Sequence, residues 1–154
     1  MIRAVMFDMG GTLEDLYSDE ENERRTSHEL YRILQEHGIE VPYDEATLWE
    51  KVYPQVLEYK AESERTQMEL KPEEIWPDYG FRGIPVDREK LIAASEEIAH
   101  MWEVTYFNRS LRKNAARMLK GLKELGMYVA AVSNTASLFQ VFDTLEQYGA
   151  VSYT

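Results

Sequence analysis

Two short polar clusters hold the residues in this chain whose types and spacing suit chemistry. Asp8 closes the apolar run Ala4-Val5-Met6-Phe7 and is followed, after Met9, by Gly10, Gly11 and Thr12. A carboxylate presented where a strand ends is a candidate nucleophile or metal ligand. The glycines let the backbone turn sharply and approach a ligand closely. The same residues also make a sound turn, because an aspartate side chain bonds nearby backbone amides. Alone, this segment reads equally as a turn or as a site. The second cluster is Ser133-Asn134-Thr135, which closes another apolar run beginning at Met127.

Both apolar runs are short and uninterrupted, the pattern of strands buried on both faces of a parallel sheet. Ligands of open α/β sheets bind beyond the carboxyl ends of the strands. Asp8 and Ser133 are therefore expected on one rim of such a sheet. The chain between the clusters reads as helical. Thr26 with Glu29 has the form of a capping box, followed by Leu30, Ile33 and Leu34 and a stop at Gly38. Asp44 is placed to cap a second helix carrying Leu48, Val52, Val56 and Leu57, which Pro54 is expected to kink or split. Pro72 with Glu73 and Glu74 opens a short helix, and Asp87 opens another bearing Leu91, Ile98 and Met101. No strand signal of similar strength stands between residues 14 and 107. A helical stripe of Leu111, Ala115, Leu119, Leu122 and Leu125 then ends at Gly126, ahead of the second strand. A last helix carries Leu138, Val141, Phe142 and Leu145.

On Asp8, Gly11, Thr12 and Leu13, with Ser133-Asn134 at the second strand end, the chain resembles the haloacid dehalogenase superfamily. The resemblance implies an α/β fold: a Rossmann-like parallel sheet, incomplete here, with an inserted all-helical cap. Residues 1–13 and 108–154 would form the core, and 14–107 the cap. Asp8 would be the nucleophile and form a transient aspartyl-phosphate. Mg2+ would be held by Asp8 and the Gly10 carbonyl. Gly11, Thr12, Ser133 and Asn134 would bind the phosphoryl group of a small phosphorylated molecule, with free amides of the glycine turn assisting.

Gly10 stands where the family carries a second aspartate, the usual general acid and base. Sequence after the second strand is also too short for the family's lysine and acidic motifs, so the resemblance covers the first part of a complete enzyme. The expected function is thus magnesium-dependent phosphoryl hydrolysis of a small phosphorylated metabolite by a truncated relative of these enzymes. A non-catalytic binding or regulatory relative, or one half of a split enzyme, is the alternative.

A net charge of -11 and the absence of a basic stripe argue against nucleic acid as partner. The acidic runs, such as Asp19-Glu20-Glu21 and Glu96-Glu97, read as solvated helix faces. No apolar run approaches the roughly 20 residues a bilayer requires, no signal peptide is visible, and the chain has 0 cysteines. A cytoplasmic location without membrane association is expected. Arg24, Arg25, Lys51 and Lys60 are the cations available to a leaving group, though each reads first as a surface charge. His28, His37 and His100 have no ligand spacing. Trp49, Tyr53, Trp76, Tyr79 and Phe81 are expected to pack the insert, with a pocket between cap and core as the alternative place for some of them. An exposed sheet edge would favour a homo-oligomer or a domain swap.

Overall fold

A computed structural model describes residues 2–149 as a mixed α/β chain. Met1 and residues 150–154, which the sequence assigns to the ends of the core, lie outside the described residues. The first strand, β1 (Ala4–Phe7), pairs in parallel with β4 (Tyr128–Ala131), so the two apolar runs do lie side by side. Packed on them are α5 (Ala115–Glu124) and α6 (Gln140–Gln147). Phe7, Met9 and Leu13 meet Ala115 and Leu119 of α5 and Val141 and Leu145 of α6 in a small apolar cluster.

The strands are not buried on both faces as their composition suggests. Exposed and half-buried positions alternate along β1, leaving Met6 69% exposed, and Tyr128 on β4 is 78% exposed. The physical reason is that the β1–β4 sheet has two strands among the described residues, and helices cover one side of it.

A second ribbon was not legible in the sequence. β2 (Glu14–Tyr17) pairs antiparallel with β3 (Asn108–Leu111), with Glu14 opposite Leu111 and Tyr17 opposite Asn108. Neither EDLY nor NRSL carries an apolar alternation. Their pairing rests on cross-strand partners, including Arg112 Nε donating to Asp15 Oδ1 at 2.7 Å just past the strand. This ribbon forms the two passages between the sheet and the helical insert, so residues 14–17 belong to a strand rather than to an all-helical unit.

The insert contains α1 (Glu20–Glu36), α2 (Glu45–Thr66), α3 (Pro72–Ile75) and α4 (Arg88–Thr105). Asp44 caps α2 through the Thr47 amide, and Asp87 caps α4 through the Glu89 and Lys90 amides, as expected. The start of α1 is corrected. Its cap is Asp19, whose carboxylate accepts from the Asn22 amide at 2.9 Å while the Asn22 side chain accepts from the Asp19 amide. Thr26 lies one helical turn or more inside, buried, with its hydroxyl donating to the Asn22 carbonyl at 2.7 Å. Pro54 does not split α2, which is continuous through it. Burial of Val52, Val56 and Tyr59 on either side of the proline offsets the missing amide. The stripe at 111–125 divides: Leu111 belongs to β3, and Leu125 follows the end of α5.

The insert's core is built on stacked aromatic rings. Trp102 stacks on Trp49 at 5.4 Å and on Tyr106 at 5.1 Å, and Trp76 tilts against it at 5.6 Å. Trp76 opens a π-helical turn to Gly80, and a Cβ at Gly80 would sit 2.8 Å from the Trp76 ring. That close approach explains the glycine. No helix among the described residues is long and apolar enough to cross a membrane.

Candidate functional site

The parallel register fixes the ends of β1 and β4 at the same level. Phe7 is partnered with Ala131, and the Val132 amide donates to the Phe7 carbonyl at 2.8 Å. Asp8 leaves β1 at this end, and Ser133 leaves β4 one residue beyond Val132. The two polar clusters therefore open from adjacent strand ends.

Asp8 is exposed, and among the described residues its carboxylate has one weak contact, the Thr12 hydroxyl at 3.4 Å. Its oxygens are thus open to an incoming group. The turn behind it is tightly closed by backbone bonds. The Met9 carbonyl accepts from the amides of Thr12, Leu13 and Glu14, and the Gly11 amide donates to the Glu14 carbonyl at 2.9 Å. This corrects the expectation of free amides at Gly11 and Thr12, which are both used within the turn. The reason is geometric: Gly11 at φ +73° folds the chain back so that its own amide meets the entry of β2. What remains available to a ligand is the Thr12 hydroxyl, the Gly10 carbonyl, which accepts no hydrogen bond among the described residues, and the side chains after β4. Ser133 is half-buried with its hydroxyl 3.3 Å from the Asn134 carbonyl, and Asn134 is exposed.

Asp8 and the Gly10 carbonyl are hard oxygen donors of the kind magnesium takes, and the ion commonly completes its shell with water. No group of three or more metal-ligating side chains stands together among the described residues. By donor type alone, Asp8 and the Gly10 carbonyl would give such an ion a partial protein shell.

The turn is anchored by a residue that the sequence did not single out. Glu14 is 0% exposed, and its carboxylate receives Arg109 Nη1 at 2.5 Å and the Tyr148 hydroxyl at 3.1 Å. Burial and then the neighbouring Glu14 charge push the Tyr148 phenol up to about 12. The sequence offered no signal for this cluster, because its members are 95 and 134 residues apart.

The cationic candidates are mostly engaged. Arg24 bonds Glu21, Lys51 lies over the Tyr43 ring, and Lys60 lies over the Phe107 ring beside Glu103. An open cavity of about 370 Å³ is lined by Arg24, Arg25, His28, Glu29, Glu45 and Thr105. Its formal charges balance, Arg24 and Arg25 against Glu29 and Glu45; His28 Nδ1 lies 3.2 Å from Glu45, and Arg32 bonds Glu29 at 2.8 Å. His37 and His100 likewise pair with single carboxylates, Glu97 and Asp143.

No family model matches the chain, and no curated protein matches it. Among solved structures, the chain is similar to the crystal structure of a dehalogenase at 18% sequence identity, with a TM-score of 0.38. The match covers 98% of this chain and 60% of that protein, so this chain spans less than two thirds of its length.

Proposed function

We propose that this chain carries the nucleophile-bearing part of a hydrolase of the haloacid dehalogenase type, acting on a small phosphorylated molecule. The observation that supports this reading most is an exposed, nearly unpartnered Asp8 at the same strand-end rim as Ser133. In the reaction, an Asp8 oxygen attacks phosphorus while the bond to the leaving oxygen breaks, and the leaving group departs with the electron pair. Water then attacks the phosphorus of the aspartyl-phosphate, releasing phosphate and restoring the carboxylate. Ser133 and Thr12 hydroxyls donate to phosphoryl oxygens, and Asn134 lies beside them. Asp8 and the Gly10 carbonyl would hold magnesium, which supplies neutralisation of charge between carboxylate and phosphate.

Gly10 has no side chain to protonate a leaving group. The reading therefore favours substrates whose leaving group departs as an anion. The same glycine favours a second reading, a non-catalytic binding relative or one half of a split enzyme, in which the rim holds phosphate without turning it over.

The deciding measurement is hydrolysis of p-nitrophenyl phosphate, whose leaving group needs no proton, with and without magnesium. Magnesium-dependent turnover that falls at least about a hundredfold in Asp8→Asn is expected. Equal background rates for both proteins would remove Asp8 catalysis. Phosphate binding retained by wild type and weakened in Ser133→Ala would then support the binding reading.

A further inference from the structure

We propose that Arg109 and Glu14 are positioning residues that hold the Asp8 turn at a fixed attitude to the helical insert. The inference goes beyond the hydrolase reading, and it stands whether or not Asp8 attacks phosphorus.

The argument begins at Glu14. Its amide and its carbonyl both close the Asp8 turn, through the Met9 carbonyl and the Gly11 amide. Its carboxylate points the other way, into a fully buried position where Arg109 and Tyr148 meet it. One residue thus belongs to the turn by its backbone and to the interior by its side chain. Arg109, on the opposite strand of the ribbon, continues the chain of contacts. Its Nη2 bonds the Glu103 carboxylate at 2.5 Å and its Nε bonds the Glu103 carbonyl at 3.1 Å. Glu103 belongs to α4 and also faces Lys60 of α2 at 3.8 Å. The line Tyr148–Glu14–Arg109–Glu103–Lys60 therefore runs from the residue that follows the last described helix, through both ribbon strands, into two helices of the insert.

Two charges of each sign alternate along this line, so every buried ion has an opposite neighbour. A planar guanidinium fixes direction as well as distance, because it donates to two carboxylates and a carbonyl from one rigid fork. Buried ion pairs of this kind add little net stability compared with apolar packing, and their best-attested use is to specify one arrangement. A parallel polar set acts at the same junction. Asn22 donates to the Thr105 carbonyl at 3.0 Å and accepts from Asn108 at 2.6 Å, tying the start of α1 to the end of α4 and to β3. A second bridge joins α4 to the segment around α6: His100 pairs with Asp143 at a partly exposed site, and Glu96 Oε1 accepts from the buried Ser137 hydroxyl at 2.9 Å and from the Leu138 amide at 2.8 Å.

The absence of native cysteine permits a clean test on the full chain. Spin labels are placed at Gln35→Cys on α1 and Ala116→Cys on α5, both exposed, and their separation is measured by pulsed electron resonance. Glu14→Gln and Arg109→Lys should each broaden the distance distribution about twofold, as a released hinge would. Leu30→Ala, which weakens packing inside the insert alone, should leave its width unchanged. Circular dichroism establishes that each variant is folded. Distributions that superimpose on wild type in both junction variants would overturn the proposal, as would equal broadening in Leu30→Ala. Because no turnover is read, failure here is separable from failure of the hydrolase reading.

Discussion

Asp8 and Ser133 leave adjacent parallel strands at one level, because Phe7 and Ala131 are register partners and the Val132 amide bonds the Phe7 carbonyl. A parallel pair places equivalent ends of both strands on the same side. The polar residues that follow them then share one rim, which is where α/β sheets bind ligands. The rim supplies a carboxylate and hydroxyls but has glycine at position 10.

That glycine can be replaced. A Cβ at Gly10 would meet Leu16 Cδ1 at 3.0 Å, the end of a flexible and partly exposed side chain, so a small shift accommodates it. Gly10→Asp is expected to fold and, if Asp8 turns over phosphate esters, to raise hydrolysis of an alkyl phosphate by about tenfold or more through general acid help. Steady-state rates on alkyl and nitrophenyl esters check this. A gain confined to the nitrophenyl ester would contradict acid assistance.

Gly11 is different. Its φ of +73° lies in the left-handed region, with open space where a Cβ would go. The cost of Gly11→Ala is therefore conformational, about 1 kcal/mol. Urea unfolding should show a lower midpoint with an unchanged slope, and an unaltered midpoint would mean that the turn adopts another conformation.

Tyr148 gives a pH signature. Its phenol is raised from the ordinary 10.0 to about 12, first by burial and then by Glu14. The folded state thus favours the protonated form. This contribution is complete below pH 10 and is lost as pH rises toward 12. Tyr148→Phe should flatten the fall in stability over that window and remove one late phenol from the ultraviolet titration. Superimposable alkaline melting curves for the two proteins would refute the linkage.

The open side of the β1–β4 sheet is expected to associate with a second copy. Met6, Tyr128 and Val132 are all exposed there, and unpaired strand edges invite further pairing. Sedimentation equilibrium should show a mass that rises with concentration, and Met6→Lys should shift the equilibrium toward monomer. A concentration-independent monomer in wild type would contradict this.

The sequence by itself determined what nearest neighbours encode. The apolar runs into Asp8 and Ser133, the caps Asp44 and Asp87, the short helix after Pro72 and the aromatic core all follow from local composition and spacing. These signals act within a few residues, so they survive in a one-dimensional reading. Even there, Asp19 took the cap expected at Thr26, because Asn22 closes the box from a position that usually holds glutamate or glutamine.

Tertiary structure alone decided the rest. The ribbon of β2 and β3 has no apolar alternation, and its strands exist because each supplies the other's backbone partners across a long separation. Glu14 was an ordinary acidic residue in the sequence. It became a fully buried anchor only when the fold brought Arg109 and Tyr148 to it, since a carboxylate leaves water at tolerable cost only beside a matching cation and donor.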